Sequence, residues 1–442
     1  MFLAIILTIL IGYSLFIGVA HADGGFANVG VAQVDITPDY PIRLSGYGGR
    51  RTESEGVTQR IWAKALAIDD AVLVTVENCG LPDELTEEVA TRLKKKSGIP
   101  REQFVIGFSH THSAPCLTNA APLIFSTDIP AEHQATIDRY TRQLADWLEE
   151  VALAALADRR VGELAWTEGE VHFAKNRRTE GGPVDRALPL LRVTDADGKL
   201  RAVWTSYACH CTTLGGNFNH ICGDWAGYAQ EAIQQDRPDV IALVTIGCGA
   251  DANPYPRSEI EQAQQHGAEI AAEVNRLLEG EFTPISGGVT GRFERIALPF
   301  DTLPTLDEWK AKAEQGGPIG YHAQKQLERI SRGETLRTTL SYPIQVWTFG
   351  NDLAVIFLTG EVVVDYSLRL KREFDRKRIW VDGYSNAFPC YIPSKRILQE
   401  GGYEGGGAMV YFDQPTRFAP GVEELIISAV HRLMPTAFYS GQ

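Results

Sequence analysis

Residues 104–115, FVIGFSHTHSAP, constrain this chain more than any other stretch. Phe104, Val105 and Ile106 form a short apolar run that reads as a buried strand. Gly107 interrupts it, and His110 and His112 follow one residue apart. In an extended segment the side chains at i and i+2 point to the same side. The two imidazoles are therefore expected to project together from a strand end, where sites in sheet-based enzymes lie. Ser109, Thr111 and Ser113 complete a polar cluster that an apolar core does not tolerate without partners. Such a pair of imidazoles is either a set of metal ligands or two hydrogen-bonded histidines at the surface or behind a site.

The surrounding pattern predicts an α/β (α+β mixed) fold, a large mixed β-sheet flanked by helices. Lys64–Asp69 and Ala71–Glu77 are apolar runs split by Asp69-Asp70, a hairpin signal. A helix is expected over Pro82–Lys96, with acids at its start, Leu85, Val89 and Leu93 down one face, and Gly98 past its end. A longer helix over Ala131–Asp158 carries Ile137, Tyr140, Leu144, Trp147, Leu148 and Val151 at helical spacing, a core stripe. Strands are expected over Glu163–Asn176, Pro189–Thr194, Arg201–His210 and Ile241–Ile246, with helices near Trp225–Gln235 and Glu259–Leu278. Further strands over Val289–Leu298, Tyr342–Thr348 and Leu353–Leu358 make the sheet mixed and not purely parallel.

The net charge of −14, with no Lys/Arg-rich stripe, argues against a nucleic-acid partner. Lys94-Lys95-Lys96 sits at a helix end, where it complements the helix dipole. Residues 1–22 form an apolar run ending in Ala20-His21-Ala22, the pattern of a cleaved signal peptide, although a positive n-region is missing and a retained anchor is the alternative. Either way the body is expected to be secreted or periplasmic. Seven cysteines suit neither a disulfide scaffold nor a CxxC zinc site, and one or two disulfides are left open.

Other apolar strands also end in polar residues. His210 ends AVWTSYACH, Asp251 and Asn253 follow IALVTIGCG, Glu361 follows LAVIFLTG, and Tyr391 and Tyr403 lie beyond RIWVDGY. Asp224 suits the N-cap of the next helix, and Cys248 reads as a small apolar thiol at a strand end. In order and spacing these segments resemble the catalytic N-terminal domain of the neutral/alkaline, non-lysosomal ceramidase family. SHTHSAP is similar to its HTHSGP motif, and AKNRR to its arginine motif. SYACHCTT with GDWAGYA resembles its second-histidine segment, and GADANP its GDVSPN segment. LTGEVVVDYSLRLKRE, NAFPCYIPS and YEGGGAM resemble its closing motifs.

Carried over residue by residue, the resemblance implies one zinc ion held by His110, His210, Glu361 and Tyr391. His112 then stands beside it as an oxyanion histidine, and Arg177 and Tyr403 line the reacting carbonyl. Arg177 could equally make a structural ion pair. Asn253 falls where the family's GDVSPN segment carries a serine proposed as a catalytic group. Asparagine cannot accept an acyl group, so a zinc-activated water mechanism survives this change and a serine nucleophile does not. A single domain over 23–442 is expected, without the C-terminal immunoglobulin-like domain of full-length members.

The function so implied is zinc-dependent hydrolysis of an N-acyl, ceramide-like amide. The alternatives are another amide or ester at the same zinc site, or an exported binding protein that keeps the fold. The partner is a small-molecule or lipid N-acyl substrate, met at a membrane surface in the lipid case; the oligomeric state is left open.

Overall fold

A computed structural model describes residues 25–235 and 237–440; the leader expected over residues 1–22 lies outside the described residues. Nine strands form the first sheet: β1 (Phe26–Asp35), β2 (Trp62–Ile68), β3 (Ala71–Val76), β4 (Phe104–Phe108), β5 (Arg160–Glu170), β6 (Ala187–Asp195), β7 (Leu200–Tyr207), β8 (Ile241–Ile246) and β9 (Thr283–Ile285). They run in the order β8-β7-β6-β5-β1-β2-β3-β4, with β9 beside β5. The pairs β3/β4 and β7/β8 are parallel and the rest antiparallel, the mixed sheet the sequence predicts.

A second sheet was not expected. β10 (Val289–Pro299), β11 (Thr339–Phe349), β12 (Leu353–Leu358) and β13 (Ile379–Asp382) pair in that order. Alternation explains it. Leu66, Leu191, Trp204 and Leu243 point from one face of the first sheet onto Trp347, Val355, Phe357 and Trp380 of the second. The rings of Trp204 and Trp380 lie 4.2 Å apart at the centre of this layer.

Helices cover the outer faces. α1 (Asp83–Ser97) packs beside α2 (Ala131–Ala157), and α2, α3 (Asp224–Gln235) and α4 (Ile260–Leu278) lie on the first sheet, α2 packing on β1–β3 and α3 on β8. After α5 (Leu306–Ala313) and α6 (Gly317–Ser331), α7 (Val364–Glu373) and α8 (Val422–Leu433) cover the second sheet. The architecture is a four-layer α/β/β/α sandwich. No helix among the described residues is long and apolar enough to cross a membrane.

Local chemistry sets the element ends. Gly98, at φ +82°, closes α1 after Lys94–Lys96, as its place in the sequence predicts. The expected strand Glu163–Asn176 breaks after Glu170 because Glu273 and Glu269 of α4 accept the N–H groups of Glu170 and His172. Ala174–Asn176 then pairs with Ala252–Pro254 instead. All seven cysteines are buried free thiols.

The sheet coils strongly. β4 and β7 stand six positions apart, which in a flat sheet is about 29 Å at ~4.8 Å per strand. Yet the rings of His110 and His210, just beyond their ends, are 4.9 Å apart. Accumulated strand twist brings the two sheet edges face to face. Gly107 permits this closure, since a Cβ there would lie 2.8 Å from Thr245 Cγ2 on β8. The chain leaving β13 bridges the gap, Asp382 to Gly247 and Ser385 to Gly107.

Asp382 is wholly buried at this seam and accepts hydrogen bonds from Ser206 Oγ and Trp380 Nε1, while Oδ2 has no donor. Burial pushes its carboxyl up to about 7. The folded chain therefore holds a proton that the unfolded chain releases near pH 4, and stability falls as pH rises from about 4 to about 7. Asp382→Asn is expected to match the wild-type melting temperature at pH 4 and to exceed it by several degrees at pH 8. Thermal unfolding of both proteins across this range checks the sign.

Candidate metal centre

The C-terminal ends of β4, β7, β8, β12 and β13 deliver their loops to one place. Beyond β4, Ser109 N bonds Val76 O and His110 N bonds Asn78 O. His110 then takes φ +58°, the left-handed region that histidine enters more readily than most residues. His110 and His112 thus converge through a turn and not through the extended segment that alternation predicts. Their Nε2 atoms are 3.1 Å apart. Gly46, at φ +86°, leaves room for His112; a Cβ there would lie 2.2 Å from its ring.

β7 ends at Tyr207, so His210 sits in the loop beyond, its N–H bonded to Ala252 O and its carbonyl accepting from Trp225 Nε1. Asp224 does not cap N2 or N3 of α3 as expected. At φ +52° its carboxylate accepts from the N–H groups of Thr213, Leu214 and Trp225, tying the His210 loop to the helix. Glu361–Val362 and Tyr391–Ile392 form a two-residue parallel ladder, with Glu361 opposite Tyr391. Tyr391 is therefore held by backbone pairing and does not lie in an open loop.

The histidine tautomers follow from their partners. His110 Nδ1 lies 2.6 Å from Cys79 O, and His210 Nδ1 lies 3.0 Å from Gly249 O. A carbonyl only accepts, so each Nδ1 carries the hydrogen and each neutral ring turns its Nε2 lone pair inward. Both lone pairs meet Glu361 Oε2, at 3.3 Å and 3.0 Å. That oxygen is buried and has no hydrogen-bond donor. The Tyr391 hydroxyl, which accepts from Arg177 Nη2 at 3.0 Å, stands 3.2 Å from His210 Nε2. Three lone-pair atoms from His110, His210 and Glu361 so lie within 4.8 Å of one another, all buried. Imidazole nitrogens and a carboxylate oxygen in this number suit a zinc-type cation. Cys79 Sγ approaches the other edge of the His110 ring, 3.8 Å from Nδ1.

The electrostatics ask for one positive charge here. Burial opposes ionisation of Glu361, but the imidazoles of His110 and His210 hold its carboxyl well below the usual range. Burial likewise opposes a charge on His110, and the Glu361 carboxylate outweighs it, pushing the imidazole up to about 10. His210 is lowered to about 4 by burial with Arg177 adding to it, and His112 falls well below its ordinary value through burial and its two histidine neighbours. A divalent cation held by the three lone-pair atoms would meet the Glu361 charge in place of a proton.

The cluster opens into a cavity of about 640 Å³ lined by His112, His210, Arg177, Arg178, Asn253, Arg257, Tyr391, Tyr403, Glu404 and Tyr47, among others. Arg177 makes the structural ion pair and also faces the site. Its Nε donates to Glu404 at 2.8 Å, and its Nη1 lies 3.4 Å from His210 Nε2 and 3.5 Å from Asn253 Oδ1. Burial opposes its charge, yet Tyr391 and Glu404 keep it firmly cationic. Tyr403 is 44% exposed and sets its ring edge-on to Tyr391. All eight candidates thus meet: His110, His112, His210, Glu361 and Tyr391 in the cluster, Arg177, Asn253 and Tyr403 on its rim.

Other candidates stay outside. Asp251 is structural, accepting Val364 N and Asn176 Nδ2. His220, ten residues beyond His210 in the chain, pairs with Gly56 in a separate short ladder. Burial pushes the Cys248 thiol well up, which leaves it a poor nucleophile. Sequence reasoning missed Glu404, which anchors both Arg177 and Arg178, and Tyr384, whose ring lies 4.7 Å from His110. It also missed Tyr47, edge-on to His112 at 4.8 Å. Glu404 and Tyr47 sit in the glycine-rich motifs YEGGGAM and LSGYGG, the one local signal that marked them.

A family profile described as neutral/alkaline non-lysosomal ceramidase, N-terminal, matches residues 27–246. The neutral ceramidase of Pseudomonas aeruginosa is 22% identical over 88% of this chain and 70% of its own length. That of Mycobacterium tuberculosis is 22% identical over 86% of this chain and 74% of its own. The crystal structure of the Pseudomonas aeruginosa enzyme superposes with a TM-score of 0.72 at 17% identity, covering 95% of this chain and 76% of that one. A structure described as ceramidase complexed with C2 gives 0.71 at 17% identity, over 94% and 77%. At these identities the structural likeness is one of fold. The chain belongs to the neutral/alkaline non-lysosomal ceramidase family.

Proposed function

We propose that this protein is a zinc-dependent amidohydrolase that cleaves an N-acyl, ceramide-like amide into an amine and a carboxylate. The observation that carries the reading is the buried convergence of two Nε2 lone pairs on an undonated Glu361 oxygen. Kinship with neutral ceramidases supports the amide as the bond attacked. On this reading the apolar run at residues 1–22, which has the pattern of a signal peptide, would direct export and put the activity outside the cytoplasm.

His110, His210, Glu361 and Tyr391 would hold the ion. A zinc ion bound there supplies a Lewis acid for an acyl carbonyl and lowers the pKa of a coordinated water to about 7. The remaining steps belong to side chains of the rim. Arg177 stays charged and aims an N–H into the cavity, where it can stabilise negative charge developing on the acyl oxygen. Tyr403 offers a hydroxyl to the same oxygen from the open side. His112 lines the cavity with its Nε2 3.1 Å from His110 Nε2, where it can pass a proton from water to the leaving amine. Asn253 faces the cavity where a nucleophile would be needed and has no nucleophilic atom, which favours water as the attacking group. Glu404 fixes the two arginines.

Wild-type protein is expected to bind about one zinc per chain and to hydrolyse a short-chain N-acyl amide. Chelation should abolish turnover, and added zinc should restore it. His110→Ala and His210→Ala are expected to lose both metal and turnover, read by elemental analysis and a product assay. A metal-free, folded wild type that has been supplied with zinc would sink the proposal.

Tyrosine variants separate holding the metal from stabilising charge. Tyr403→Phe is expected to keep its zinc while kcat falls about 100-fold. Tyr391→Phe is expected to release zinc at lower chelator concentration. Equal metal retention in both variants would remove Tyr391 from the ligand set.

A further inference from the structure

The cavity carries more positive charge than the proposed chemistry uses. Arg177 and Arg178 share Glu404, and Arg178 also meets Glu400 at 3.1 Å. Arg257, the third guanidinium on the wall, forms no ion pair among the described residues. Its hydrogen-bond partner is the Tyr47 hydroxyl at 3.3 Å, which already donates its own hydrogen to Leu214 O at 2.7 Å. The Tyr47 ring lies edge-on to His112, so Arg257 stands one tyrosine ring from the histidine cluster. Backbone pairing fixes it there, since Ser258 N bonds Thr213 O at 2.8 Å.

Two further donors share the wall. Thr212 is 3% exposed, and its Oγ1 is buried without a partner. Asn253 turns its Oδ1 toward Arg177, and its Nδ2 has no acceptor among the described residues. The Arg257 guanidinium, held by one long hydrogen bond to Tyr47, the Thr212 hydroxyl and the Asn253 amide therefore line the cavity with no carboxylate partner among the described residues. The neutral head of a ceramide does little for this set. A carboxylate satisfies it, because its two oxygens match the planar fork of an arginine and carry the opposite charge.

We propose that the preferred substrate is an amide that carries a carboxylate near the scissile bond, and that Arg257 sets this specificity by pairing with it. The inference rests on the amidohydrolase reading and differs from it in the amide, an acidic one taking the place of a neutral, ceramide-like one. The carboxylate can belong to the amine side, as in an N-acyl amino acid, or to the acyl side, as in a monoamide of a dicarboxylic acid.

The test uses the zinc-loaded protein and four amides: N-lauroylglycine, N-lauroyl-4-aminobutyrate, glutaric acid mono-dodecylamide, and the neutral N-lauroylethanolamine. At least one acidic amide is expected to exceed the neutral one in kcat/KM by about 10- to 100-fold, the range of a charge-assisted hydrogen bond. Which acidic amide does so tells the two sides apart. Arg257→Gln is expected to bring the ratio close to one, mainly through KM, and Arg257→Lys to keep part of it. Equal or better turnover of the neutral amide overturns the inference while leaving the amidohydrolase reading intact. A preference that persists in folded Arg257→Gln overturns the role of Arg257. Failure to cleave any of the four overturns the amidohydrolase reading itself. The wild-type series decides the substrate class even where a variant does not fold.

Discussion

Two backbone carbonyls, Cys79 O and Gly249 O, determine the character of the buried cluster. Each takes the Nδ1 hydrogen of a histidine, and each thereby turns an Nε2 lone pair toward Glu361. Were either ring the other tautomer, its Nε2–H would donate to the carboxylate and the cluster would be an ordinary buried hydrogen-bond set. Second partners of this kind orient metal-binding histidines in general. Here both are main-chain atoms, so their positions depend on the fold and not on a further side chain.

That dependence reaches far into the sandwich. Cys79 follows β3, and Gly249 follows β8. They meet only because the nine-stranded sheet coils until its edges approach, with Gly107 allowing Thr245 to pack against it. The second sheet then brings Glu361 and Tyr391 from beyond β12 and β13, so every contributor to the cluster lies past the carboxyl end of a strand. A buried site whose three lone-pair atoms suit one cation results. Its rim is polar: Glu404 pairs with Arg177 and shares Arg178 with Glu400, and Arg257 has no ion-pair partner among the described residues.

Much of this was legible in the sequence, for physical reasons that differ by element. β2, β3 and β8 read as strands because strands buried on both faces are nearly continuous apolar runs, and α1 and α2 read as helices from one-faced spacing and end chemistry. The eight candidate residues meet because polar groups at strand ends converge when the strands share a layer. The second sheet was not legible: alternation marks a strand's two faces but does not say which sheet it joins. The left-handed turn at His110 and the loop position of His210 also escaped, since both are fixed by carbonyls remote in sequence, Asn78 O and Ala252 O. Asp224 looked like a cap because its neighbours form a helix; its loop partners Thr213 and Leu214 could be known only in three dimensions.

The central claim is that the inward lone pairs of His110 and His210 and the undonated oxygen of Glu361 form a metal site. Anomalous diffraction at the zinc edge, from crystals of the protein grown with zinc, tests it most directly. The account predicts one strong peak about 2.0–2.2 Å from His110 Nε2, His210 Nε2 and a Glu361 oxygen. No peak at that position, or a peak instead on the Cys79 side of His110, would contradict it.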